Sequence, residues 1–256
     1  MADMTAIPLR TTVTGAGPGL VLAHGAGGTI ETNFGNLIPA LAATHTVVAS
    51  DYPDSNIQLT LDGLADALVA AAVDGGVETF TILGYSLGTT VAVRAAVRHP
   101  DRVRGLLLAA GFAKADNRAR LTVQIWQDLL DRGDTASFAR LALAASFSPA
   151  YLNALPAEVV DELVRVGTTT IPGGTLQQAS LVEIVDTTAD LARITVPTLV
   201  VNATEDLLIH PANSRYLAAT IPNADYTEIP AGHVLMAEHP TQWHKTVETF
   251  LTQHNL

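Results

Sequence analysis

The chain has 256 residues, of which 48% are apolar and only 15% charged, a composition suited to a compact globular core and opposed to disorder. Fourteen Lys and Arg stand against 25 Asp and Glu, a net charge of -11 without any basic cluster, so the surface repels nucleic acid and anionic membrane. Cysteine is absent, which excludes disulfides, thiolate catalysis and cysteine-ligated metals.

The start, MADMTAIPLR, lacks a basic residue followed by an apolar run, and no segment has the apolar length of a membrane span. The expectation is a cytoplasmic protein. Residues 5–14 alternate loosely and predict one or two edge strands. LVLAH at 20–24 follows the turn GAGPG and is apolar throughout, as a strand covered on both faces must be. It runs into the flexible loop HGAGG. TVVAS at 46–50 is the next buried strand, stopped by the turn residues of DYPDSN. LTLDGLADALVAAAV at 59–73 has helical periodicity and ends at DGG.

TFTIL then predicts a strand, TTVAVRAAVRH a helix and VRGLLLAA at 103–110 another buried strand. Strand and helix in alternation imply parallel pairing through crossover helices. After Gly111 the rhythm changes. ARLTVQIWQDLL, TASFARLALAASF, AEVVDELVRVG and TLQQASLVEIVD predict helices with no strand between them, an insertion over 112–190 in an α/β core made of 1–111 and 191–256. Alternation resumes with VPTLVVNA at 196–203, a helix over HPANSRYLAATI, the short strand ADYTEI at 224–229 and a last helix over 239–252. Neither GxGxxG at a strand end nor a GKT or GKS phosphate loop is present, so nothing supports nucleotide binding.

GYSLG at 84–88 joins a strand to a helix, the setting of a serine nucleophile on a sharp turn. Such a serine needs oxyanion donors, a base and an orienting acid. The amide of Leu87 opens the helix and serves as one donor; Ala26 or Gly27, in the Gly-rich loop after the first buried strand, supplies the other. His24, at the end of that strand, reads as a structural residue that ties loops together. His233, in PAGHVLMAEHP after the last short strand, has the best position for the general base. Asp206 in NATEDLLIHP is the preferred acid and Glu205 its rival. The order Ser86, Asp206, His233 is the one expected for a serine nucleophile on this kind of scaffold.

HGAGG, GYSLG, ATEDLL and the GH pair, spread over nearly the whole chain, together resemble the oxyanion loop, nucleophile elbow, acid loop and histidine loop of the α/β-hydrolase superfamily. The resemblance implies a mostly parallel eight-stranded sheet with a helical cap, residues 112–190, between strands six and seven. Serine at position 86 argues against the aspartate-nucleophile branches of that family. The implied chemistry is hydrolysis of an ester, lactone or related acyl bond with no cofactor and no metal. The alternatives are a lyase, a carbon–carbon bond hydrolase or a perhydrolase using the same three residues, or a ligand-binding protein. Tyr85, Phe112, Trp126, Phe138, Phe147, Tyr151 and Leu155 are the candidate lining of a pocket for a small hydrophobic molecule, in a monomer or homodimer.

Overall fold

The computed structural model describes residues 7–256. In chain order the first half comprises β1 (Arg10–Thr14), β2 (Gly19–Ala23), α1 (Ile30–Phe34), α2 (Ile38–Leu41), β3 (Thr46–Asp51), α3 (Leu61–Asp74), β4 (Phe80–Tyr85), α4 (Leu87–Arg98) and β5 (Val103–Ala109). Five helices follow, α5 (Asn117–Asp131), α6 (Thr135–Ser146), α7 (Pro149–Ala154), α8 (Ala157–Thr169) and α9 (Thr175–Ile184). The chain closes with β6 (Thr198–Ala203), α10 (Ala212–Thr220), β7 (Asp225–Ile229), α11 (Leu235–Glu238) and α12 (Pro240–His254).

The strands form one sheet in the order β1-β3-β2-β4-β5-β6-β7, parallel except for β1, which runs antiparallel to β3. The central strands are apolar on both sides because helices cover both faces. One face packs on α3 and α4 through Leu64, Leu68, Val91 and Ala92. The other packs on α1 and α12 through Phe34, Trp243 and Phe250. No helix among the described residues is long and apolar enough to cross a membrane.

The sheet has seven strands among the described residues, not eight. The sequence allowed two strands before Gly15, and residues 5 and 6 of that stretch lie outside the described residues. Of the remainder, only Arg10–Thr14 pairs. Ile7 lies against Gly63 in the first turn of α3, and Leu9 packs on the same apolar cluster, so their side chains are spent on helix packing and not on extending an edge. The helical insertion accordingly falls between β5 and β6. Its two ends meet in an isolated antiparallel bridge between Lys114 and Asp186, joined by an ion pair of 2.9 Å.

Short helices α1, α2, α7 and α11 escaped the periodicity argument because four to six residues span too little of a 3.6-residue repeat. Two carry local signals: Thr29 caps α1 in a reciprocal capping box with Thr32, and Ser148 caps α7 ahead of Pro149.

Candidate active site

Ser86 sits between the C-terminal end of β4 and the first residue of α4 with φ 53° and ψ -120°, a conformation that costs a non-glycine residue strain. The glycines on either side make the turn possible. A Cβ on Gly88 would lie 1.9 Å from the Ala23 carbonyl oxygen, and one on Gly84 would lie 2.5 Å from the Gly88 carbonyl oxygen. The turn is pinned by the Ser86 amide donating to the Ala109 oxygen at 3.0 Å and by the Thr89 hydroxyl donating to the Ser86 oxygen at 2.7 Å.

His233 lies in the loop after β7, with Nε2 3.0 Å from Ser86 Oγ and Nδ1 2.7 Å from Asp206 Oδ2. The other carboxylate oxygen of Asp206 accepts the Leu208 and Ile209 amides, both at 2.8 Å. All three side chains are buried. With Asp206 accepting at Nδ1, the neutral imidazole presents its Nε2 lone pair to the serine hydroxyl. Glu205, the rival acid, is exposed.

The histidine loop is held from two sides. The Tyr85 hydroxyl donates to the His233 carbonyl oxygen at 3.0 Å; burial pushes this phenol well above its ordinary range, so it remains a donor. Glu238 accepts from the Gly232 amide at 3.2 Å, the Ser148 amide at 2.7 Å and the Ser148 hydroxyl at 2.6 Å, binding the loop to the helical insertion. Gly232 is obligatory there, since a Cβ would lie 2.4 Å from the Ser148 nitrogen.

Leu87 is the first residue of α4, so its amide has no intrahelical acceptor and points with the positive end of the helix dipole. In the loop after β2, the Gly27 amide is taken by Gln178 Oε1 at 2.8 Å, the Gly28 amide by the Gly25 oxygen at 3.3 Å and the Gly25 amide by Asn33 Oδ1 at 2.9 Å. The Ala26 amide has no acceptor among the described residues. His24 is structural, as its position in the sequence suggested: Nδ1 donates to the Gly25 oxygen at 2.8 Å and Nε2 accepts the Tyr52 amide at 2.9 Å. Burial lowers its pKa to about 4, so it is neutral.

A cavity of about 280 Å³ touches Ser86 and His233 on the core side and helices of the insertion on the other. Of the seven expected lining residues, Tyr85, Trp126, Phe138 and Phe147 border it. Phe112, Tyr151 and Leu155 do not. Phe112 follows β5 directly and turns into the core, where it is 1% exposed; Tyr151 stacks on the back of Phe147 at 5.3 Å; Leu155 ends α7 away from the cavity. The sequence did not disclose Leu143, Leu163, Ile171, Leu208 and Val234, which complete the apolar wall. Nothing in a single sequence states which side of an isolated cap helix turns inward.

Comparison with known proteins decides the family. Residues 18–240 match the family described as alpha/beta hydrolase fold. The chain is an α/β hydrolase. It is 34% identical to the pyrrolizixenacetamide deacetylase of Xenorhabdus hominickii over 247 residues, covering 93% of this chain and 92% of that protein. Among solved structures, a hydrolase from Pseudomonas aeruginosa PA01 superposes with a TM-score of 0.83 at 25% identity over 97% of this chain and 99% of the other. The enol-lactonase of Burkholderia xenovorans LB400 shares the fold with a TM-score of 0.86 at 23% identity, covering 98% and 99% of the two chains. The hydrolase thus carries its buried serine, histidine and aspartate on a framework common to these proteins.

Proposed function

We propose that the hydrolase cleaves the acyl bond of a small hydrophobic ester, lactone or amide through an acyl enzyme on Ser86. The observation that carries this reading is the chain Ser86 Oγ, His233 Nε2, His233 Nδ1, Asp206 Oδ2, with links of 3.0 and 2.7 Å, at the base of an apolar cavity. Ser86 Oγ attacks the carbonyl carbon while its proton passes to His233 Nε2, and Asp206 stabilises the resulting imidazolium. The oxyanion takes the free amides of Leu87 and Ala26; Gly27 is the weaker choice because its N–H is already spent on Gln178. The imidazolium then protonates the leaving alcohol or amine, and a water deprotonated by His233 releases the acid and regenerates the serine. Residues 112–190 act as the cap that supplies most of the apolar wall.

The cavity lies at the low end of the roughly 300 Å³ and upward usual for ligand pockets, which favours a small acyl group. The likeness to a pyrrolizixenacetamide deacetylase supports an acetyl group, and an amide as well as an ester as its carrier. Intact-mass analysis after a fluorophosphonate probe tests the mechanism. A single adduct is expected on the wild type, absent in Ser86→Ala and strongly slowed in His233→Ala. Folded wild-type protein that takes no adduct overturns the acyl-enzyme reading. Release of acetate from p-nitrophenyl acetate and from acetanilide, compared side by side, then separates ester from amide preference.

A further inference from the structure

Gln178 is almost fully buried, 1% exposed, in the first turn of α9, and its Oε1 accepts the Gly27 amide from a loop 151 positions earlier in the chain. Because a backbone N–H only donates, this bond fixes the amide orientation: Oε1 faces Gly27 and Nε2 turns back toward Gly174. The turn that carries Gln178 is itself wedged. A Cβ on Gly174 would lie 2.1 Å from the Pro53 carbonyl oxygen, and one on Gly27 would lie 3.3 Å from Thr175 Cγ2.

The loop it grips has three glycines in four residues, and Gly27 has φ +70°, so the loop has little conformational preference of its own. Each of its peptides is nevertheless held. Asn33 takes the Gly25 amide; the Gly25 oxygen accepts His24 Nδ1 and the Gly28 amide, which orients the peptide whose N–H belongs to Ala26; Gln178 holds the next peptide through the Gly27 amide. Of these supports, only Gln178 comes from the helical insertion.

We infer that Gln178 is a positioning residue for the oxyanion site: the insertion, through this one side chain, occupies the Gly27 amide and holds the Ala26 amide toward the carbonyl oxygen of the substrate. The inference rests on the acyl-enzyme reading. Its physical content is preorganisation, since donors fixed before the charge develops cost no reorganisation when it does. The consequence concerns the tetrahedral state and not ground-state binding.

Gln178→Met keeps length and bulk and removes the acceptor. Gln178→Asn keeps the amide but is one methylene too short, and serves as the second variant if the first folds poorly. With p-nitrophenyl acetate, kcat is expected to fall about tenfold, a fraction of the 10²–10³ that follows loss of a whole oxyanion donor, with KM within about twofold. The affinity of benzeneboronic acid, which forms a tetrahedral adduct on an activated serine, should fall by a similar factor. A role in packing alone would lower the unfolding midpoint and leave both the boronate affinity and kcat, measured well below that midpoint, unchanged. Wild-type kcat and boronate affinity in both folded variants overturn the inference while Ser86→Ala, inactive beside an active wild type, leaves the acyl-enzyme reading standing. A wild type that neither turns over nor takes the fluorophosphonate removes both.

Discussion

The two parts of the hydrolase are built to different standards. In the α/β core the central strands β2, β4 and β6 are buried almost throughout, and the residues around Ser86, Asp206 and His233 are held by hydrogen bonds of 2.7 to 3.4 Å to backbone or side chains. In the insertion, α8 has no buried residue at all, and Leu121, Ile125, Val159, Leu163, Val166 and Ile184 are exposed. A nucleophile needs its partners fixed to fractions of an ångström, which a sheet with covered faces provides, whereas a pocket wall has to be apolar and of the right volume. Gln178 and Ser148 are among the insertion residues that touch the tighter part with polar groups, beside Arg118, which donates to the Leu207 oxygen at 2.6 Å, and Asp116, which accepts from Asn213 at 2.8 Å.

The largest losses are expected inside the core. Ser86→Ala and Asp206→Asn should each lower kcat by about 10⁴-fold or more, the asparagine because its amide favours the wrong imidazole tautomer, with unfolding midpoints within a few degrees of wild type. Steady-state kinetics with thermal unfolding checks this, and retention of more than a hundredth of the activity in either variant would count against the assigned roles. In the insertion, Trp126→Ala removes a 5%-exposed side chain set edge-on to Phe138 at 5.3 Å, and should cost about 3 kcal/mol of stability and raise KM more than it lowers kcat. Urea unfolding together with kcat and KM measures both effects.

His24 gives the core a pH-dependent stability. The folded protein holds its imidazole neutral down to about pH 4, while the unfolded chain protonates near 6.5, so the unfolded state binds more protons in between. The stability this site contributes is complete above the unfolded value and is lost as pH falls from 6.5 toward 4, by about 3 kcal/mol. Urea midpoints from pH 7.5 to 4, compared with those of His24→Asn, isolate that share; parallel curves would show that the ring is not excluded from protonation. The smallest effect belongs to the insertion surface. Ile184→Gln, at a residue 73% exposed, should alter stability by less than about 0.5 kcal/mol and kcat not at all.

Much of the core was readable because its strands are apolar on both faces and its chemistry lies at strand ends between turn residues. LVLA, TVVAS and TLVVNA could be placed within a few residues, and GYSLG announced its own turn because only glycine fits where the Ala23 and Gly88 carbonyls approach. The first strand of the expected eight was not decided in this way. RTTVT is polar and marginal, and Ile7 and Leu9 were free to pack on a helix instead. Phe112 and Trp126 were equally plausible pocket residues by type. Only the turn after β5 and the rotation of α5 sent the first into the core and the second to the cavity.

Hydrophobic period and turn chemistry are local properties, so the parallel α/β core, the run of helices after β5 and the serine, histidine and aspartate that the fold brings together could be read from their own stretches of chain. The strand count, the face each insertion helix turns inward and the Gln178 acceptor that occupies the Gly27 amide were set only once the chain folded. Those depend on contacts between segments as much as 151 residues apart, and such contacts leave no period in the chain to be read.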